Sequence, residues 1–192
     1  LRKSPPKFLH PLIKWRLQTL LINPAAFMAP EFVARLQRAM DTYDGRKAGA
    51  LAAKFVANKT WHCPTLVRLR TQQLADAPEY LNHEFLRYMP KKSVSRWLGV
   101  TKKFMKLPET MRKTYREAYP KQLKLTKLLA DAGVKLLAGS DGGWLSNPGL
   151  SLQEEFVELA KAGLTPLQIL QMTTVNAAEY LGRTSVMGTV EA

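Results

Sequence analysis

The sequence predicts a helix-rich α/β protein, and three observations carry that prediction. Residues 134–138 form a short apolar run bracketed by Gly133 and Gly139, the pattern of a buried strand rather than a surface helix. Ahead of it, residues 117–132 repeat apolar side chains at helical spacing and close on Asp131, Ala132 and Gly133, with glycine where a helix ends. A second candidate strand, residues 61–67, precedes a long helical connection. Helix, tight turn and buried strand together make one αβ unit of a parallel barrel.

The elements follow in order. Residues 1–30 are proline-rich, with a short amphipathic stretch at Lys14, Trp15, Arg16 and Leu17. His10, restricted by Pro11, reads as a surface or packing histidine. Residues 31–40 predict a helix from Phe32, Leu36 and Ala39, with Pro30 acceptable at its first turn. Asp44 is a candidate N-cap for a second helix reaching about residue 58, with Leu51, Phe55 and Val56 as its buried stripe. Residues 61–67 read as a strand, and Pro64 inside it favours a strand end.

Residues 71–127 form a long helical connection divided by Pro90, Gly99 and Pro108. Trp97, Phe104 and Met105 are expected to pack or to line a substrate mouth, so this stretch could serve as a lid. Pro120 is expected to start or kink the last helix before the central strand, in which Leu123, Lys127 and Ala130 share a face. Beyond residue 150, Ser151 with Glu154 predicts a capping box, and Thr165 with Gln168 a second one. Glu154 and Glu155 are therefore assigned first to capping and to the helix dipole. Thr174 and Asn176 read as start-of-helix residues.

Asp141 is the candidate functional residue. It follows the buried run as Ser140, Asp141, Gly142 and Gly143, and the glycines leave its carboxylate uncrowded. At the carboxyl end of a barrel strand a polar residue points into the active-site mouth. The competing reading is a turn or capping aspartate.

Composition narrows the classes. The 192 residues carry a formal charge of +14, concentrated in residues 87–127, where thirteen Lys or Arg face only Glu109 and Glu117. Such a stretch can be a solvated helical surface or can meet an anionic partner, and the solvated surface is preferred. Nucleic acid is disfavoured because no RNP, zinc-finger or phosphate-loop motif accompanies the charge. One cysteine, Cys63, excludes an internal disulfide and a cysteine-rich zinc site. No apolar run is long enough to span a bilayer.

Residues 144–192 add an ordered set of motifs: Glu154 and Glu155, then Ala162, Gly163, Leu164, Thr165 and Pro166, then Thr174, Asn176, Ala177, Ala178, Leu181 and Gly182. Together with Ser140 and Asp141, this set resembles the carboxyl-terminal part of the metal-dependent amidohydrolase superfamily, in its imidazolonepropionase-like and prolidase-like branch. The resemblance covers about residues 61–192. It implies a partial TIM-like (β/α)8 barrel, last strands and helices only, over residues 1–186, with a basic helical insertion at about 71–127. Residues 187–192 would begin a truncated flanking β-sandwich.

The resemblance further implies hydrolysis of a carbon–nitrogen bond in a small-molecule substrate: an amide, a lactam or a dipeptide. One or two divalent ions, zinc foremost, would activate water, with Asp141 as metal ligand and proton shuttle. The family's His-x-His pair and its further histidines have no counterpart here, since the only histidines are His10, His62 and His83. His62 lies on a strand that supplies no ligand in the family, and His83 reads as a helix-surface residue. The chain alone is therefore expected to be an inactive fragment of a longer enzyme. Two alternatives stay open: a non-catalytic basic binding module, and a truncated subunit that completes its site with a partner chain in an oligomer.

Overall fold

The computed structural model describes residues 27–141 and 149–190. The expectations for His10, for the stretch at Lys14 to Leu17, for Gly142 and Gly143, and for the last two residues of the flanking-sandwich segment lie outside the described residues.

Helices α1 (Pro30–Asp41) and α2 (Gly45–Ala57) form where the periodicity places them. The Asp44 carboxylate caps α2, accepting from the N–H groups of Arg46 at 2.8 Å and Lys47 at 3.3 Å. The buried stripe of α2 differs from expectation. Ala52 is its fully buried residue and Phe55 packs beside it, whereas Leu51 and Val56 are exposed.

The segment expected as strand 61–67 is shorter than its apolar run. A single parallel bridge joins His62 to Leu136, with His62 N donating to Lys135 O at 3.0 Å and Leu137 N donating to His62 O at 2.9 Å. Pro64 has no N–H to continue the ladder. At Thr65 the backbone takes φ +48°, and helix α3 (Leu66–Gln73) begins at the next residue.

The connection to the central segment is helical throughout most of its length: α4 (Pro78–Leu81), a 3-10 turn Glu84–Tyr88, α5 (Lys91–Met105) and α6 (Glu109–Asp131). Trp97 and Phe104 are buried packing residues rather than a substrate lining, and only Met105 of the three is exposed. Removing residues 91–106 would therefore take core with it. Pro120 neither starts nor ends α6. It sits inside the helix, where it withholds one N–H from the ladder. Helix α6 packs against α1, α2, α3 and α7, so it is the spine of the described fold.

Gly133 ends α6 with φ +81°, a left-handed turn that glycine takes at little cost. Residues 134–138 then run extended, with Val134 and Leu136 buried and Lys135 exposed between them. That alternation is the two-residue period of extended backbone. Asn176 does more than start a helix: its side-chain amide donates to Leu136 O at 2.8 Å, satisfying a carbonyl of the extended segment.

Helices α7 (Ser151–Lys161), α8 (Pro166–Thr173) and α9 (Val175–Tyr180) close the main core, where Leu159, Leu164, Ile169 and Met172 meet Ala52, Leu66, Leu129, Val134 and Leu136. The capping box at α8 forms as expected. Thr165 Oγ1 accepts from Gln168 N at 3.3 Å, and Thr165 N donates to Gln168 Oε1 at 2.8 Å. Thr165→Ala is expected to lower stability by about 1 kcal/mol, measured by urea unfolding. The box expected at α7 does not form, because Leu150 stands at the N-cap and Ser151 is already the first helical residue; its hydroxyl donates to Ser140 Oγ at 3.0 Å.

Candidate active site

The 134–138 segment delivers Asp141 to a junction between α3 and α7. Asp141 has φ +46°, a left-handed conformation that Asp tolerates better than most residues. Its carboxylate is about two-thirds exposed, and Oδ2 lies 3.6 Å from Nε of Arg68. Arg68 stands in the first turn of α3, its side chain only 12% exposed. Burial pushes the Arg68 guanidinium pKa down, and the Asp141 charge opposes that shift. Sequence reasoning missed Arg68, since nothing local to residues 66–73 announces a carboxylate partner some seventy positions away.

Two contacts hold the approach to Asp141. Ser140 bonds the first residue of α7 through Ser151. Gly139 passes so close to Cys63 that an added Cβ would lie 2.8 Å from the Cys63 sulfur, so a side chain here would require the thiol to move. The Cys63 thiol pKa is pushed up by partial burial and by the charges of Glu155 and Asp141.

The other half of the junction is a buried charge network. Helix α3 lacks a local cap, because left-handed Thr65 turns its hydroxyl to Pro64 O. Glu155 supplies the cap from α7, accepting from Leu66 N at 3.0 Å and Val67 N at 2.6 Å. Capping and dipole complementarity were expected of Glu155, but for its own helix; it serves α3 instead. Glu154, also expected as a cap, pairs with Arg70 at 3.3 Å and with His83 at 3.5 Å. Glu158 is fully buried and takes Arg70 at 2.5 Å, Lys161 at 2.9 Å and the Tyr119 hydroxyl.

These two buried acids titrate in opposite senses. Burial pushes the Glu155 carboxyl up to about 7, against the pull of its two backbone N–H bonds. Burial also opposes the Glu158 charge, but hydrogen bonds from Tyr119, Lys161 and Arg70 outweigh it and hold its pKa below the ordinary value. A raised folded-state pKa contributes stability that is complete below the unfolded value, 4.5, and is lost as pH rises through about 7. Glu155 therefore makes the fold less stable between those limits as pH rises, whereas the Glu158 contribution is lost only on further acidification. Urea unfolding across pH 4.5 to 7 should show that slope, and Glu155→Gln should flatten it.

The histidines play local parts. His62 is half-buried, packs against Phe55, and has its pKa lowered by burial, so neutrality is favoured. His83 is not a plain helix-surface residue: Nδ1 caps the Glu84–Tyr88 turn by accepting from Phe85 N at 3.4 Å.

Residues 49–192 match the model of the amidohydrolase family. The chain belongs to that family. Neither the curated proteins nor the solved structures compared with it yield a match. Family membership makes this a hydrolase domain, of a kind that usually employs divalent metal. The described residues do not by themselves fit such an ion. Among them no three His, Cys, Asp or Glu side chains converge as a ligand group. Asp141 is a single carboxylate facing a guanidinium, and a catalytic zinc ordinarily takes three protein ligands. Among the described residues no helix is long and apolar enough to cross a membrane.

Proposed function

We propose that this chain is the carboxyl-terminal part of a metal-dependent hydrolase of carbon–nitrogen bonds, of the imidazolonepropionase-like and prolidase-like kind. The substrate would be a small molecule: a non-peptide amide, a lactam or a dipeptide. The two extended segments would be late strands of a TIM-like barrel whose remaining strands lie outside this sequence, along with the other metal donors. The supporting observation is the placement of Asp141, exposed at the end of the 134–138 segment within a chain that matches the family over residues 49–192.

In this reading Asp141 would be one ligand of a metal centre whose other donors this chain does not supply among its described residues, and it would also move protons. Its carboxylate would accept a proton from the attacking water and return it to the leaving nitrogen as the carbon–nitrogen bond breaks. Arg68 beside it fixes the direction of the carboxylate. The 192-residue chain alone would be inactive, because among the described residues no group of three donors joins Asp141.

The test is to isolate the longest natural polypeptide containing this sequence, then measure its metal content and its hydrolysis of N-acyl amino acids, lactams and prolyl dipeptides. Stoichiometric divalent metal with turnover of one of these classes is expected. A metal-loaded protein that cleaves only ester or phosphate bonds would sink the carbon–nitrogen reading.

A further inference from the structure

Helix α5 carries charge of one sign only. Lys91, Lys92, Arg96, Lys102 and Lys103 lie along it, Lys106 follows at its end, and no acid interrupts them. At 3.6 residues per turn these six cations fall within an arc of about 140°. All six are exposed, and the opposite face is the one buried through Trp97, Val100, Thr101 and Phe104. The helix is therefore clamped to the body by its apolar side and offers solvent a cationic face free of acids, with Ser95 and Gly99 between its two groups of cations. The neighbouring helix α6 treats its own cations differently, pairing Arg112 and Arg116 with Asp76 and Glu109.

A groove runs along one flank of that strip, between α5 and the Glu84–Tyr88 turn. It is an open groove of about 640 Å³, with Leu86, Met89, Val94 and Leu98 on its walls and Arg87, Lys91 and Lys102 among its lining residues. Tyr88 stands at the turn, 67% exposed. Cations bordering an apolar trough beside an exposed aromatic match the chemistry of a membrane interface, where headgroups are anionic and the layer beneath is hydrocarbon. A nucleic acid would use the cations, but it has no aliphatic part to place between Leu86, Val94 and Leu98. The lysine-rich composition also suits diffuse attraction to a charged surface better than bidentate recognition of one phosphate.

We propose that α5 and the Glu84–Tyr88 turn form a docking surface for an anionic phospholipid bilayer. The strip lies against phosphatidylserine-type headgroups, and the groove takes apolar contact from the interface. In this arrangement the described residues rest on the leaflet without crossing it. This inference is independent of the reaction assigned to Asp141.

Co-sedimentation of the full chain with vesicles tests it. Binding is expected to phosphatidylcholine vesicles doped with phosphatidylserine, but not to phosphatidylcholine alone, and it should weaken steeply with salt. Each cation near an anionic leaflet is worth about fivefold in partitioning, so Lys91→Glu, Lys102→Glu and Lys103→Glu together should weaken binding by at least about 100-fold. A control with Arg46→Glu, Lys47→Glu and Lys54→Glu on exposed positions of α2 changes net charge equally and should retain most of the binding. Far-UV circular dichroism confirms that both variants are folded. Equal losses in the two variants would mean non-specific basicity and overturn the proposal. So would failure to bind anionic vesicles, or preference for RNA over vesicles at the same salt.

Discussion

Replacing Glu155 with Ala is expected to lower the unfolding free energy by roughly 3–5 kcal/mol. The residue is fully buried, and its two oxygens serve the N–H groups of Leu66 and Val67 at the start of α3. Alanine leaves both donors buried without that acceptor, at about 1–3 kcal/mol each, and opens a cavity where the carboxylate was. Nothing local can take over, because Thr65 is left-handed and its hydroxyl bonds Pro64 O. Single domains are stable by only about 5–15 kcal/mol, so the loss is a large share of the whole. Glu155→Gln should cost less, since its one carbonyl oxygen still accepts from one N–H. Urea unfolding followed by tryptophan fluorescence measures both. A Glu155→Ala variant within about 0.5 kcal/mol of the parent would show that α3 does not depend on this cap.

The same contact explains why a carboxylate is buried at all. An isolated charge inside a protein is strongly unfavourable, but a helix N-terminus presents partial positive charge and N–H groups directed along its axis. Glu155 joins α7 to the first turn of α3, and Arg68 stands in that turn facing Asp141. The chain of support runs from a buried acid, through a helix start, to the candidate functional carboxylate. Together with the Arg70 pairs to Glu154 and Glu158, this side chain ties two segments nearly ninety residues apart.

Much of this was legible in the sequence, and the reasons differ by element. Signals carried within four residues can be read directly: the Asp44 cap, the Thr165 box with Gln168 and the Gly133 helix end are all present. The run at 134–138 was readable as extended because glycines bracket it. What could not be read is anything that depends on a distant segment. Ser151 and Glu154 have the spacing of a capping box, yet the helix starts at Ser151 itself with Leu150 at the N-cap, and only the fold decides where it starts. Leu51 and Val56 satisfy a helical stripe on paper, yet the packing against α6 selects Ala52, because close helix approach favours the small residue. Glu155 was read correctly as a capping type but assigned to the wrong helix. Its side chain reports what it can do, not where it is used.

Asp141→Asn, made in the longest natural polypeptide, is expected to reduce kcat by 10²–10⁴, the range for loss of a positioned general base, about 3–5 kcal/mol of barrier. Asparagine is the informative substitution for a backbone reason. With φ at +46°, Asp141→Ala would add left-handed strain of about 1–2 kcal/mol and confuse a folding defect with a chemical one, whereas Asn tolerates that conformation. Stability should barely move, because the ion pair with Arg68 is 3.6 Å long and its carboxylate side is mostly exposed; such pairs contribute at most about 1 kcal/mol. Metal content measured on the same protein separates the two roles assigned to the carboxylate. Loss of metal together with turnover identifies a ligand, and loss of turnover with metal retained identifies a proton carrier. If turnover, metal content and stability are all unchanged, Asp141 is a turn residue and the reading of this junction as an active site fails.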